Sequence, residues 1–269
     1  MSLPATSKAA GAKLHMQKWL PDDAPKAIIL LVHGYAEHAG RYRYFAKYCV
    51  SKGYAVFAVD HWGHGKSDGT PGYVPDFSVF HDGVDELFAC AKLEFPKLPV
   101  ILVGHSMGGL ISATYLLANQ ASFTACVLSG PAIKAAEEPS AVLKGISGFL
   151  SRLFPKLGVL ELDPNGVSRD PQVVVDYLAD PLVYNGKMGA RLAAEMLANM
   201  STIQEHADQI TLPMLMLHGG QDSLAAAEGS RFLDDRIASS EKKLIIYPEL
   251  FHEIFNEPEK ETVLSDMTD

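Results

Sequence analysis

The sequence predicts an α/β fold: a mostly parallel, twisted sheet with helices on both faces and an inserted helical cap. Short apolar runs recur along the chain, and a run without polar interruption is typical of a parallel strand that is buried on both faces. Segments with helical spacing of apolar residues lie between these runs, which indicates β/α alternation. The alternation pauses between residues 131 and 208, and this pause predicts the cap.

Continuous apolar runs predict the parallel strands. In chain order they are Ala27–Val32, Tyr54–Val59, Val100–Val103, Ala125–Leu128, Met214–Leu217 and Leu244–Tyr247. Helices are predicted between them over Tyr42–Lys52, Phe77–Phe95, Leu110–Gln120 and Ala225–Ile237. The earlier segment Lys13–Trp19 predicts an antiparallel strand at the edge of the sheet. We therefore expect residues 1–130 and 209–269 to form the core and residues 131–208 to form the cap.

The first half of the cap has the spacing of one amphipathic helix over Ala141–Leu160. Its apolar face carries Val142, Leu143, Ile146, Phe149, Leu150, Leu153, Phe154 and Leu157. Lys144, Arg152 and Lys156 mark the other side. Two interpretations stay open: a cap helix packed on the main domain, or a lid that lines an apolar channel or contacts a lipid surface.

Composition and charge narrow the classes of partner. A formal net charge of −9 without clustered lysine and arginine argues against nucleic acid and fits neutral or apolar substrates. No stretch approaches the roughly 18 apolar residues of a membrane span, and Met1–Lys13 lacks the apolar block of a signal peptide. We therefore expect an intracellular, cytoplasmic protein.

The cysteines and the glycine pattern give no sign of a cofactor. Cys49, Cys90 and Cys126 are scattered in apolar segments, which favours buried free thiols over disulfides or metal ligands. The chain has no metal-ligand spacing and no glycine-rich phosphate loop after a strand, so we expect no cofactor and no metal.

The segment Gly104-His105-Ser106-Met107-Gly108-Gly109 joins the apolar run Val100–Val103 directly to the predicted helix Leu110–Gln120. A sharp strand-to-helix turn of this kind strains its central residue and exposes the hydroxyl group, so the residues two before and two after must be small. Gly104 and Gly108 meet this requirement. The pattern predicts that Ser106 is a nucleophile.

A second Gly-x-Ser-x-Gly match, Gly65-Lys66-Ser67-Asp68-Gly69, lies in a different context. It is followed by Thr70-Pro71-Gly72, which predicts a loop and leaves no room for a helix. We expect Ser67 to be a turn residue.

A serine nucleophile needs a histidine base and an acid that orients the histidine. In hydrolases with this turn the chain order is serine, acid, histidine. Past Ser106 the chain offers His206, His218 and His252. His252 follows the last predicted strand, at the carboxyl end of the sheet where open α/β folds build their sites, so we expect it to be the base.

Asp222 follows the preceding strand in Gly219-Gly220-Gln221-Asp222 and is the expected acid. The alternatives are Asp208, which lies before that strand, and the pair Asp234-Asp235, which lies inside a predicted helix.

An oxyanion hole needs two hydrogen-bond donors. The backbone N–H of Met107, directly after the nucleophile, is the first expected donor. The second is the N–H of Tyr35 in His33-Gly34-Tyr35-Ala36, the loop after the first long strand. The alternative interpretation of His33-Gly34 is a simple strand-ending turn.

These residues are similar to those of α/β-hydrolases of the monoacylglycerol lipase and lysophospholipase group. The resemblance spans nearly the whole chain. Its motifs are His33-Gly34 with Glu37-His38 and Arg41-Tyr42, Asp60-His61 with Gly63-His64-Gly65 and Ser67, the Ser106 segment, Ser168-Arg169-Asp170-Pro171, Asp180-Pro181-Leu182-Val183-Tyr184, Asp222, Tyr247 and His252-Glu253.

The resemblance implies an α/β-hydrolase fold and hydrolysis of a glycerol monoester to glycerol and a fatty acid through an acyl-enzyme, with the cap forming the acyl tunnel. It also implies that Glu37, Arg41, His105 and Tyr177 lie near the glycerol end. Loop-anchoring ion pairs for Glu37 and Arg41, and cap packing for Tyr177, are equally open. Ala36 departs from the family, whose members often have glycine there, and we expect it to restrict the oxyanion loop.

Three other functions stay open at this stage. They are a lysophospholipase, a carboxylesterase for short-chain or aromatic esters, and a ligand-binding protein that keeps the hydrolase fold without catalysis. We expect a lipid ester as the small-molecule partner and transient contact of the cap with a membrane surface.

Overall fold

The computed structural model describes residues 2–6, 12–135 and 148–268. Within them the main sheet has eight strands: β1 (Ser2–Thr6), β2 (Lys13–Trp19), β3 (Ala27–Val32), β4 (Tyr54–Val59), β5 (Val100–His105), β6 (Ala125–Ser129), β9 (Met214–Gly219) and β10 (Lys242–Tyr247). The cap segment contributes a small second sheet, β7 (Gly158–Leu160) and β8 (Met188–Gly189).

The strand order in the main sheet is β1-β2-β4-β3-β5-β6-β9-β10. The strands from β4 to β10 pair in parallel, whereas β1 with β2 and β2 with β4 pair antiparallel. The predicted mostly parallel sheet is therefore confirmed. The prediction of Lys13–Trp19 as the edge strand is wrong, because β1 pairs outside β2; Ser2–Thr6 lacks the apolar pattern that would have predicted a strand.

The helices are α1 (Arg43–Ser51), α2 (Ser78–Glu94), α3 (Met107–Asn119), α4 (148–153), α5 (Pro171–Ala179), α6 (Ala190–His206), α7 (Ala227–Arg236) and α8 (Lys260–Thr268). The four helices predicted around the sheet are found within three residues of their predicted limits. The largest difference is at α3, which begins at Met107 directly after Ser106. The sequence pattern did not predict this start, because Gly108 and Gly109 are poor helix formers.

Alternate side chains of each central strand enter different cores, which explains why these strands are apolar throughout. In β3, Ile28, Leu30 and Val32 belong to the core shared with α2, α3, α6 and α7. Ile29 and Leu31 belong to the opposite core, shared with α1 and α8. Because β3, β4, β5, β6, β9 and β10 run in parallel, the loops that follow these strands all lie at one edge of the sheet.

The segment between β6 and β9 contains α4, β7, α5, β8 and α6 in its described part. Helix α6 packs against α3, so this segment rests on the core beside the Ser106 turn. The division of the chain into a core and a cap at residues 131 and 208 stays a prediction.

The predicted helix Ala141–Leu160 is only partly visible, since residues 136–147 lie outside the described residues. In the described part the helix ends at residue 153, before Pro155, and Gly158–Leu160 is a strand. The prediction of one helix up to Leu160 is therefore wrong. Pro155 and Gly158 interrupt a pattern whose apolar spacing alone favoured a longer helix.

In the part of the chain that the structure describes, no helix combines the length and the apolar character needed to cross a membrane. The three cysteines are free thiols; Cys49 and Cys126 are buried and Cys90 is half-buried. No cluster of three or more metal-binding side chains is found among the described residues.

Candidate active site

Ser106 lies between β5 and α3 in a strained backbone conformation, with φ 54° and ψ −120°. The turn is too crowded for larger neighbours: a Cβ atom at Gly104 would overlap Ser112 Oγ, and one at Gly108 would overlap the carbonyl oxygens of Val32 and His33. The turn is also bonded to the next strand, because the Ser106 N–H donates to the Ser129 carbonyl at 3.0 Å. This is the turn expected from the glycine spacing.

Ser67, the other motif serine, is fully engaged in holding its loop. Its hydroxyl donates to the Asp60 carbonyl at 2.5 Å and accepts the His15 N–H at 2.8 Å. These bonds tie the loop after β4 to β2. Bends and turns follow Ser67 directly, and the next helix begins only at Ser78.

His252 and Asp222 form a short hydrogen bond at the carboxyl edge of the sheet, with 2.6 Å between His252 Nδ1 and Asp222 Oδ2. Asp222 follows β9 and His252 follows β10, as the order of the strands predicted. The other carboxylate oxygen, Asp222 Oδ1, accepts the N–H groups of Leu224 and Ala225. Both oxygens are thus partnered, and the imidazole is held with Nε2 left for another contact.

The loop after β3 lies against Ser106. A Cβ atom at Gly34 would be 3.1 Å from Ser106 Cβ, a tighter contact than most, so glycine suits this close approach. Among the described residues, neither the Tyr35 nor the Met107 N–H donates to a protein acceptor. Met107 is the first residue of α3, where backbone N–H groups have no partner within the helix. Two free donors therefore flank the serine.

A cavity of about 160 Å³ lies beside Ser106, and both the Ser106 turn and His252 contribute to its lining. Ser106, His252 and Tyr35 line its floor. The core also contributes Gly34, Ala36, Glu37, His105, Leu224 and Glu253 to the lining. The cap segment contributes Glu161, Leu162, Asp163, Pro164, Val167, Tyr177, Leu178, Tyr184, Asn185 and Gly186. A ligand in this cavity contacts Ser106 and the cap at the same time.

Comparison with known proteins identifies the family of the chain. Residues 23–259 match the family described as serine aminopeptidase, S33. The chain belongs to this hydrolase family. It is 42% identical over 258 residues to the monoacylglycerol lipase of Mycolicibacterium smegmatis, covering 96% of this chain and 92% of that protein. It is 32% identical to the monoglyceride lipase of Homo sapiens, covering 95% of this chain and 84% of that protein.

A solved structure agrees with these relatives. The monoacylglycerol lipase of Paleococcus ferrophilus superposes with a TM-score of 0.85 at 29% sequence identity, covering 95% of this chain and 96% of that chain. The α/β-hydrolase fold and the resemblance to the monoacylglycerol lipase group, both predicted from the sequence, are confirmed.

In this hydrolase, the side chains of Glu37, Arg41 and Glu253 connect the loop after β3 with the loop after β10, and burial raises the pKa of Glu37 although Arg41 opposes this. The Arg41 guanidinium group donates to Glu37 at 3.0 Å and to both oxygens of Glu253, at 2.5 and 2.8 Å. The Glu37 carboxylate also accepts the Gly34 N–H and the Tyr42 hydroxyl group. Burial opposes ionisation of Glu253, but Arg41 holds the pKa of that carboxyl below its usual value. These contacts support the loop-anchoring interpretation of Glu37 and Arg41.

Tyr177 and His105 both line the cavity, whereas Arg41 does not. The Arg41 guanidinium lies over the Tyr177 ring, 4.6 Å from the ring centroid, so Tyr177 connects the cap to the buried charges. The His105 ring packs against His252 with 4.7 Å between centroids, and its Nδ1 is 3.2 Å from Ser129 Oγ. Burial and the nearby His252 lower the pKa of His105 to about 3, so this imidazole is neutral.

His218 is a part of the site whose role the sequence did not reveal. Its Nε2 lies 3.1 Å from Asp222 Oδ2, and its Nδ1 lies 2.7 Å from Ser230 Oγ. Burial alone would raise the pKa of Asp222, but His252 and His218 hold the pKa of that carboxyl well below its usual range. The position of His218 at the end of β9, four residues before Asp222, was the available signal. The alternative base His206 is exposed on the surface at the end of α6.

The pairing with Asp222 determines the protonation of His252. Burial lowers the pKa of His252, but the negative charge of Asp222 outweighs burial and raises that pKa above its ordinary value near 6.5. We expect Asp222→Asn to lower the pKa of His252, because burial then acts without the opposing charge. NMR titration of the His252 ring measures this change.

The control is Asp208→Asn, which removes an exposed carboxyl group outside the site and leaves the pKa of His252 where it was. A wild-type pKa at or below 6.5, or one that Asp222→Asn leaves unchanged, would contradict the pairing.

Proposed function

We propose that this ester-hydrolysing enzyme cleaves monoacylglycerols, with Ser106 as the nucleophile, His252 as the general base and Asp222 as the acid that orients it. The observation that carries the proposal is the convergence at one cavity of the strained Ser106 turn and the His252–Asp222 hydrogen bond. Together the turn and the buried pair meet the requirements of acyl transfer.

The first half of the reaction forms an acyl-enzyme. Ser106 Oγ attacks the ester carbonyl carbon while His252 Nε2 takes the hydroxyl proton, and Asp222 stabilises the imidazolium that results. The N–H groups of Tyr35 and Met107 donate to the oxyanion. As the intermediate collapses, the bond to the glycerol oxygen breaks and His252 returns the proton to that oxygen.

The second half repeats these steps with water. His252 takes a proton from water as the water oxygen attacks the acyl carbonyl, and collapse of the intermediate returns that proton to Ser106 Oγ. A fatty acid leaves and the enzyme is restored. His252 must be neutral at the start of each half, so activity is expected to fall as the pH drops through the His252 pKa, which Asp222 raises.

The walls of the cavity support a neutral, long-chain ester. Apolar cap side chains at Leu162, Val167 and Leu178 offer contact to an acyl chain. The described residues of the lining include four carboxyl side chains, Glu37, Glu161, Asp163 and Glu253, and no lysine or arginine. Such a lining disfavours the phosphate of a lysophospholipid and accepts a glycerol headgroup. The names of the relatives point to the same substrate.

We also propose that the cap contacts a lipid surface. Eight of the eleven exposed large hydrophobic side chains among the described residues lie between positions 149 and 178. They are Phe149, Leu153, Phe154, Leu157, Val159, Leu160, Val175 and Leu178. Many exposed apolar side chains in one segment, of which Leu178 also lines the cavity, together with Arg152 and Lys156, are typical of an interfacial contact. This arrangement favours the lid interpretation of α4 over a helix packed on the core.

Ser106→Ala tests the nucleophile. We expect the release of glycerol from monooleoylglycerol to fall by about 10⁴-fold or more in kcat, because losing one member of such a triad disables the others. The matched control is Ser67→Ala, which changes the other motif serine and should leave the rate within about twofold. Circular dichroism establishes that both variants are folded.

Full activity of the folded Ser106→Ala variant would contradict the proposed mechanism. The proposed substrate would be contradicted if the wild-type enzyme prefers oleoyl lysophosphatidic acid to monooleoylglycerol, or if it cleaves only short p-nitrophenyl esters. Either result would leave the assignment of Ser106 as the nucleophile unaffected.

The lipid-surface contact predicts a selective defect in the double variant Phe149→Ser with Phe154→Ser. We expect its binding to phosphatidylcholine/phosphatidylglycerol vesicles to weaken at least about tenfold, since burying one phenyl ring contributes about 1.5–3 kcal/mol. Its rate on a soluble ester should not change. Flotation of the protein with vesicles measures the binding.

The control is Leu93→Ser. Leu93 is 87% exposed near the end of α2, which leads into β5 and therefore lies at the opposite edge of the sheet. Equal vesicle binding by the cap variant, the Leu93 variant and the wild type would contradict the contact.

A further inference from the structure

Only two residues other than glycine adopt a positive φ among the described residues, and both lie in the candidate active site. They are Ser106, at φ 54°, and Ala36, at φ 68°. A residue with a Cβ atom is strained in this conformation, whereas glycine is not. The crowded turn imposes the strain at Ser106. Ala36 lies in an irregular loop next to Tyr35, so contacts from elsewhere must hold it there.

The bond to the Ala36 carbonyl comes from the cap. The Tyr184 N–H donates to the Ala36 carbonyl at 2.8 Å. The Tyr184 ring also packs edge-on against the Tyr35 ring, with 6.5 Å between centroids. Ala36 itself is 3% exposed, so water does not replace this bond while the cap is in place.

A second cap contact lies two residues further along the loop. His38 Nε2 is 2.9 Å from Asp180 Oδ2. The Gly40 N–H donates to His38 Nδ1 at 3.1 Å, so the ring proton is on Nε2 and Asp180 accepts it. The Leu182 N–H donates to Asp180 Oδ1 at 2.8 Å, which orients the carboxylate toward His38.

Tyr35 and Ala36 are buried in the main core, and two backbone hydrogen bonds on the core side flank Ala36 in the loop. The Gly34 N–H donates to Glu37 Oε1 at 2.7 Å, and the Ala39 N–H donates to Asp60 Oδ1 at 2.9 Å. Between these anchors lies the strained Ala36 peptide, which bonds to Tyr184 of the cap. Release of the cap would free Ala36 to leave the left-handed conformation, and the path of the loop beside Tyr35 would change.

We propose that Asp180 is a positioning residue, which holds cap residues 177–184 on the oxyanion loop through its contact with His38. Docking of this cap segment then also places the Tyr35 N–H in the oxyanion hole. The inference rests on the proposed function, because it assigns the Tyr35 N–H to the oxyanion. It also accounts for Ala36. A strained alanine leaves the left-handed conformation when the cap is released, whereas a glycine is not strained there and can keep that conformation.

Asp180→Ala tests the coupling through the split between kcat and KM for a soluble p-nitrophenyl ester. We expect kcat to fall by about 10- to 100-fold, because a displaced donor loses its interaction with the transition state. KM should change less than about threefold, since that donor binds the ground state weakly. The matched control is Asp176→Ala, in α5 one turn earlier, where the carboxylate accepts a hydrogen bond from Gln172 at the surface.

A rescue experiment separates positioning from general loss of structure. Glycine adopts the left-handed conformation without strain, so Ala36→Gly should restore kcat several-fold in the Asp180→Ala background, and this gain should exceed any gain that the same substitution gives in the wild type. A simple structural defect at Asp180 would be made worse, or left unchanged, by a second substitution in the loop.

The proposal is overturned if Asp180→Ala keeps the wild-type kcat, if the loss appears in KM alone, or if the double variant is no faster than Asp180→Ala. If Asp180→Ala does not fold, Asp180→Asn takes its place, because the amide oxygen keeps an acceptor for His38 without the charge; its smaller loss of kcat must also be relieved by Ala36→Gly. Wild-type hydrolysis that depends on Ser106 would stand in each of these cases, so failure of the coupling is distinct from failure of the proposed function.

Discussion

The close contact between the start of α3 and the end of β3 controls the geometry of the whole site. Gly108 lies directly on the carbonyl groups of Val32 and His33, with no space for a Cβ atom. This approach places Ser106 beside Gly34, so that the serine and the two free N–H groups of Tyr35 and Met107 occupy one place. A larger residue at position 108 would push helix and strand apart and would separate the nucleophile from one of its donors.

Buried charges provide the second level of organisation, and each is matched by opposite charge or by hydrogen-bond donors. Asp222 is bonded by His252 and by two backbone N–H groups, and His218 lies against the same oxygen as His252. Arg41 lies between Glu37 and Glu253. A buried charge that loses its partner is costly, commonly by about 3–5 kcal/mol, so these groups hold the loops after β3, β9 and β10 in fixed relation. These loops belong to the predicted core, and residues of the predicted cap complete the lining of the cavity.

Much of this arrangement could be predicted from the sequence, because it depends on local rules. Continuous apolar runs predict buried parallel strands, and glycines on both sides of Ser106 predict the strained turn. The order of serine, acid and histidine along the chain then selects Asp222 and His252, since parallel strands bring their carboxyl ends to one edge. Ser106 and His252 line one cavity and Asp222 is hydrogen-bonded to His252, while the catalytic roles of these residues are our proposal.

The rest depends on contacts between distant segments, which no local pattern contains. Arg41 and Glu253 are separated by 212 positions in the chain, and His38 and Asp180 by 142. Sequence periodicity favoured one long helix up to Leu160, but the apolar spacing alone does not show that the helix ends before Pro155. The antiparallel strand at Ser2–Thr6 was missed because pairing with β2, rather than its own composition, defines it.

Covalent labelling tests the central claim most directly. The folded protein is treated with a fluorophosphonate probe, digested, and examined by mass spectrometry for the modified peptide. The account predicts one adduct, on Ser106, with Ser67 unmodified. An adduct on another residue, or no adduct on protein that still hydrolyses monooleoylglycerol, would contradict it.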